Sequence, residues 1–195
     1  MLGSQRHGFG NIVGHVKGVA DMSSLSSWTG QQFDPRLSWD DVEWIKKCWG
    51  GKLIIKGILD VEDARLAANS GADALVVSNH GGRQLDGAPS SISQLPAIVD
   101  AVGERIEVWL DGGIRSGQDV LKAMALGAKG TMIGRPHLYG LGAMGEAGVT
   151  KALDIIAREL DVSMALCGYN DIRDVNREIL LPGSFPEGVG CAKKS

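Results

Sequence analysis

At 195 residues, with 44% hydrophobic residues and a net charge of −3, the chain can bury a real core and carries no basic excess that would require nucleic acid or another anionic partner. No apolar run approaches the roughly 18 residues of a membrane span, and the start lacks the charged-then-apolar order of a signal peptide; the expectation is a soluble cytoplasmic domain, with any association at the inner membrane peripheral. Cys48, Cys167 and Cys191 are odd in number and widely spaced, which supports neither a disulfide framework nor a zinc site and makes a reducing compartment the default.

Residues 1–32 are rich in Gly and Ser without a sustained period and read as a loop or disordered leader. His7 and His15 lie there with no companions at metal-ligand spacing. Order begins at Ser38, whose hydroxyl suits a helix cap. Asp40, Asp41 and Glu43 favour the positive end of that helix and Lys46 with Lys47 the negative end, Val42, Ile45 and Trp49 share a face, and Gly50-Gly51 ends it.

An alternation of strands and helices follows. Leu53-Ile54-Ile55 is an apolar run ended by Lys56-Gly57, and Asp60 with Asp63 resembles a cap for a helix through Ala68, closed by Ser70-Gly71. Ala74 to Val77, short and β-branched, reads as a strand buried on both faces. It stops abruptly at Ser78-Asn79-His80-Gly81-Gly82-Arg83. A helix from about Ser93 turns Leu95, Ile98, Val99 and Val102 inward. Ile106 to Leu110 is a third strand, ended by Asp111-Gly112-Gly113; Ser116 then caps a helix that buries Val120 and Met124. Gly130 to Ile133 is a fourth strand, ended by Gly134-Arg135-Pro136. Glu146 to Leu166 forms a terminal helix with Val149, Leu153, Ile156 and Leu160 on one face, and 167–195 carries the end of that helix and a tail.

Strands alternating with helices about every 25 residues imply a parallel sheet with right-handed crossovers, hence an α/β fold whose strand ends all face one way. Two architectures fit. One is the C-terminal half of a (β/α)8 TIM barrel, four βα units over residues 33–166; the other is an open doubly wound sheet. The absence of a Gly-x-Gly-x-x-Gly turn after the first strand favours the half barrel. Its two raw edges would need a cover, either a missing N-terminal half or a homo-oligomer.

On this reading Lys56, Ser78 with His80, Asp111, and Gly134 with Arg135 share one rim. A lone His-Gly-Gly-Arg is as easily a turn histidine beside a solvated arginine; four strand ends converging make a site the stronger reading. Gly112, Gly113, Ile114 and Arg115 after the third strand, and Gly134-Arg135 after the fourth, offer amides, guanidinium groups and a helix start capped by Ser116, which together suit an anion. Lys56, at the mouth of an apolar core, suits an electron-rich ligand atom. His80 suits a general base, and Arg83 a bidentate clamp on a carboxylate.

The run Ser78-Asn79-His80-Gly81-Gly82-Arg83-Gln84-Leu85-Asp86, with Ile55-Lys56-Gly57-Ile58 before it and Asp111-Gly112-Gly113-Ile114-Arg115 and Ile133-Gly134-Arg135 after it, closely resembles the FMN-dependent L-2-hydroxy-acid dehydrogenases and oxidases. Phe33-Asp34-Pro35, Trp39, Glu43-Trp44-Ile45 and Lys56-Gly57-Ile58-Leu59-Asp60 look most like the bacterial quinone- or cytochrome-linked L-lactate dehydrogenase branch. The resemblance implies FMN as cofactor, a small 2-hydroxy acid as substrate, and a quinone, cytochrome or O2 as electron acceptor. It implies Lys56 and Ser78 at the flavin ring, Asp111 on the ribityl chain, and Gly112, Gly113, Ile114, Arg115, Gly134 and Arg135 at the phosphate. His80 would be the base and Arg83 the carboxylate clamp, with substrate electrons reaching the flavin by hydride or by carbanion chemistry. The family's N-terminal half, with its tyrosine pair, second arginine and histidine-orienting aspartate, has no counterpart here. A non-catalytic half barrel, either a truncated relic or a fragment that acts only with a partner chain, is therefore the alternative.

Overall fold

Four short apolar runs become four parallel strands because each is long enough to cross a core and each is stopped by residues that turn. The computed structural model describes residues 12, 15–19 and 22–186, and the chain divides into two units at Ser38 and Trp39. The first unit contains α1 (Met22–Gln32). The loop expected over 1–32 is thus helical in its last third: Leu25 and Trp28 lie one turn apart, and Thr29 returns its hydroxyl to the Leu25 carbonyl at 2.8 Å instead of breaking the helix. His7 and Cys191 lie outside the described residues.

In the second unit, α2 (Trp39–Trp49), β1 (Ile54–Ile58), α3 (Val61–Asn69), β2 (Ala74–Val77), α4 (Ser91–Val102), β3 (Glu107–Asp111), α5 (Gly117–Ala125), β4 (Gly130–Met132), α6 (Arg135–Met144) and α7 (Glu146–Cys167) follow in order. The sheet runs β1-β2-β3-β4, parallel throughout. Among the described residues, the outer edges of β1 and β4 have no strand neighbour. No described helix is long and apolar enough to cross a membrane.

Central β2 is buried at all four positions, as its unbroken apolar run requires. On β3, Val108 and Leu110 enter the core while Glu107 stays exposed. Leu75, Val77, Leu95, Ile98, Val102, Val108 and Leu110 form the centre of the core, onto which α3 and α4 pack. A second cluster joins Leu121 and Ala125 of α5 to Val175 in the segment after α7.

Three expectations shift. Lys56 does not end the first strand but lies inside it, since β1 runs on to Ile58. The shared face of α2 is not buried: Ile45 is 41% and Trp49 68% exposed. On α7, Val149, Ile156 and Leu160 are half-buried, but Leu153 is 51% exposed. The expected caps on α3 and α5 are formed: Asp60 accepts from the amides of Glu62 and Asp63, and Ser116 with Asp119 makes a reciprocal capping box.

At the end of the sheet opposite the rim, Asp73 binds the start of β1 to α2. Its carboxylate accepts from Lys46 Nζ, from Lys52 Nζ at 2.8 Å and from the Leu53 amide at 2.9 Å. The Lys46 and Lys52 hydrogen bonds hold its carboxyl well below the ordinary value of 3.8. A depressed folded-state value adds stability that is present above the ordinary carboxylate range and lost as pH falls below it. Asp73→Asn should therefore lower the melting temperature at pH 7, with the gap to the parent closing towards pH 3. Thermal melts across that range check it, and a gap independent of pH would contradict it.

Candidate active site

The ends of β1, β2 and β3, with the turn after β4, surround a cavity of about 510 Å³. Of the residues singled out from sequence, Lys56, His80, Arg83, Asp111, Gly112, Gly113, Ile114, Arg115, Gly134 and Arg135 line it. Ser78 lies beneath, 1% exposed. Gln84, Met132, Pro136 and Leu138 also line the cavity, and none carried a signal of its own; Leu138 is found only by noting that it lies one helical turn after Arg135.

Ser78 joins three strand ends through one oxygen. Its Oγ donates to Asp111 Oδ2 at 2.6 Å, and accepts from Lys56 Nζ at 3.0 Å and from the His80 amide at 3.1 Å. Lys56 Nζ also reaches Asp111 Oδ2 at 2.8 Å. Sequence placed Lys56 and Asp111 on one rim; it did not show that they pair with each other. Burial raises the Asp111 carboxyl, but the Lys56 and Ser78 hydrogen bonds and the charges of Lys56 and His80 outweigh it, and the group lies below its ordinary value. Lys56 keeps 40% of its side chain exposed, so its ammonium remains open to the cavity.

His80 opens a single 3-10 turn, His80–Gly82, at φ 56. Asn79, which sequence reasoning passed over, builds that turn: its side-chain oxygen accepts from the Gly82 amide at 3.2 Å, its amide nitrogen donates to the Pro89 carbonyl at 3.2 Å, and its backbone amide donates to Ser91 Oγ at 3.3 Å. Gly112 fits close against the same group, since a Cβ there would lie 3.1 Å from Ser91 Oγ. Arg135 does not reach freely into the cavity, because its Nη2 donates to the Gly81 carbonyl at 2.9 Å. Arg83 is exposed, and among the described residues its guanidinium has no hydrogen-bond partner.

The two helix starts at the rim differ. The start of α5, expected to serve an anion, is already filled by carboxylates: Asp119 Oδ2 accepts from the Arg115 and Ser116 amides at 3.0 and 3.1 Å, and Glu159 Oε2 on α7 accepts from the Gly117 amide at 2.9 Å. The start of α6 has no side-chain cap, and Gly134, Arg135 and Pro136 face the cavity. A Cβ at Gly113 or Gly134 would meet nothing within 4 Å. Open backbone and a free helix start make the α6 side the better place for negative charge.

The sequence matches the profile of a family described as FMN-dependent dehydrogenase over residues 4–182. It is 51% identical over 174 residues to an L-lactate dehydrogenase of Caulobacter vibrioides, covering 89% of this chain and 45% of that protein. It is 50% identical over 175 residues to an L-lactate dehydrogenase of Pseudomonas syringae pv. syringae, covering 90% and 46%. Among solved structures, mandelate oxidase with (S)-4-hydroxymandelic acid superposes with a TM-score of 0.75 at 46% identity, over 80% of this chain and 43% of that one. A mandelate oxidase variant with a monooxide FMN adduct gives 0.71 at 47% identity, over 75% and 46%. The chain thus spans about half the length of the relatives it matches.

Ser78→Ala removes a buried donor to a carboxylate and an acceptor for the Lys56 ammonium and the His80 backbone amide. It should destabilise the chain by about 1.5–3 kcal/mol, the usual range for a hydrogen bond to a charged group. Urea unfolding of the two proteins measures it, and equal midpoints would mean that the three strand ends hold together without this hydroxyl.

Proposed function

The chain belongs to the FMN-dependent dehydrogenase family, and from that premise we propose that it forms the C-terminal half of a (β/α)8 barrel that oxidises an L-2-hydroxy acid, such as L-lactate, to the 2-keto acid. The observation that carries this is the convergence of Lys56, His80, Arg83, Asp111 and the two glycine-arginine turns around one cavity. No single motif supplies that arrangement; four parallel strands do.

The residues present fit FMN. The open backbone at Gly113 and Gly134, the uncapped start of α6, and the Arg115 and Arg135 guanidinium groups suit a phosphate. Gly112 and Ile114 shape that turn, Asp111 suits the ribityl hydroxyls, and Lys56 with Ser78 suits the polar edge of the ring. When bound, FMN supplies a two-electron acceptor at the rim. Arg83 holds the substrate carboxylate in its fork, which fixes the carbon to be oxidised beside His80. An imidazole nitrogen of His80 takes the proton that leaves the substrate. Electrons pass on to a quinone, a cytochrome or O2, and the protein works in the cytoplasm or at the inner membrane surface.

A second reading rests on the exposed apolar residues of α2, β1 and α6. Trp44 is 64% and Trp49 68% exposed on α2 and Ile54 54% at the start of β1, while Leu138 is 55%, Tyr139 73% and Met144 61% exposed on α6. On this reading the chain is a half barrel that acquires activity only on assembling with an N-terminal half or a second copy.

A flavin absorption spectrum of the purified chain distinguishes the two, bound FMN favouring the first. Arg115→Glu places like charge beside the phosphate and should weaken FMN binding by about 1.5–3 kcal/mol; unchanged affinity in a fluorescence titration would remove Arg115 from the site. His80→Gln should retain the flavin spectrum and substrate binding yet slow anaerobic flavin reduction by about 10² to 10⁴. Reduction at the parent rate would take the base role from His80.

A further inference from the structure

Strand β1 carries an irregularity at the rim. Its pairing with β2 sets Lys56 opposite Val76 and then Ile58 opposite Val77, so Gly57 is an extra residue bulged out of the ladder. Bulges bend a strand and re-aim the side chains beside them. Here Lys56 points its ammonium at Ser78 and Asp111, while Ile58 enters the core at 7% exposure. Gly57 itself has φ +104, and a Cβ built on it would lie 2.6 Å from Cε1 of His80 and 3.4 Å from Nε2. Non-bonded carbons pack at about 3.5–4.0 Å, so any side chain at position 57 must displace the ring.

The other side of the contact is fixed. His80 has φ 56, a conformation non-glycine residues seldom adopt. Its amide is held by Ser78 Oγ at 3.1 Å, and the turn behind it by Asn79. With the backbone pinned, what the ring meets across the rim is the bare backbone of Gly57.

We propose that Gly57 is a positioning residue for His80, its missing Cβ being the space in which the imidazole stands. One inserted residue in β1 then sets both functional groups, turning Lys56 towards Asp111 and leaving room for the ring. This rests on His80 being the base, but the contact can be tested independently of that role.

The test uses the full chain labelled with ¹³C-histidine. Four histidines give at most four Cε1–H cross-peaks, and His80→Gln identifies the one that belongs to His80. Gly57→Ala should move that cross-peak and leave those of His15 and His137 in place. Gly50→Ala controls for backbone strain: Gly50 has φ +66 with nothing within 4 Å of its Cβ position, so it should leave the His80 peak unmoved. In the FMN-loaded protein, Gly57→Ala should slow flavin reduction by a 2-hydroxy acid towards the His80→Gln rate while substrate KM changes less than threefold. An unmoved His80 peak in Gly57→Ala overturns the proposal. If Gly57→Ala does not fold, Gly57→Ala/His80→Ala decides: recovery of folding assigns the clash to the ring, and continued failure means the glycine serves the bulge alone. Should His80→Gln reduce flavin at the parent rate, the base reading fails, while the cross-peak still reports whether Gly57 places the ring.

Discussion

Parallel pairing around a fully buried β2 is the constraint on which the rim depends. Because Val76 sits between Lys56 of β1 and Trp109 of β3 in register, the residues that follow these positions leave the sheet at the same level. The chemistry at that level is held by one hydroxyl, since Ser78 Oγ touches the side chains of Lys56 and Asp111 and the backbone of His80. A small residue at the end of the central strand can do this because β1 and β3 lie one strand spacing to either side. A larger side chain there would push them apart.

Much of this was legible from residue order alone. The strands announced themselves as short β-branched runs, and each was stopped by glycine, by a charged residue or by both. The helix caps at Asp60 and Ser116 could be read from local spacing, because a cap involves residues two or three apart. The sequence was misleading where a residue's role is set by a distant partner. Lys56 looked like a strand terminator because a charge ended an apolar run, yet the bulge at Gly57 keeps it within β1. The start of α5 looked like an anion site because Ser116 and its neighbours suit one. Glu159, which lies 42 positions beyond Gly117, fills it, and no local pattern reports that contact. The exposure of Ile45 and Trp49 was equally hidden: an amphipathic helix shows which face is apolar, not what covers it.

Family membership and the physical reading of the rim contribute different things. Similarity extends across about nine-tenths of this chain for the L-lactate dehydrogenases and about four-fifths for mandelate oxidase, and across less than half of those proteins. It therefore gives the family to which the chain belongs. The geometry says how the rim is built: a filled helix start at α5 beside an open one at α6, with Arg135 bridging to the His80 turn through the Gly81 carbonyl.

The order of the sheet also bears on how the chain finds its fold. Among the described residues, every strand of the sheet pairs only with the strand before or after it in sequence, Ile54 with Ala74, Ala74 with Glu107, Trp109 with Gly130. None of these pairings has to wait for a distant segment to arrive, so loop closure costs little at each step and these four strands can assemble one βα unit at a time as the chain leaves the ribosome. In such a growth order the Lys56–Ser78–Asp111 contact forms only when the third strand docks, so the rim takes shape after the sheet that carries it has begun to assemble.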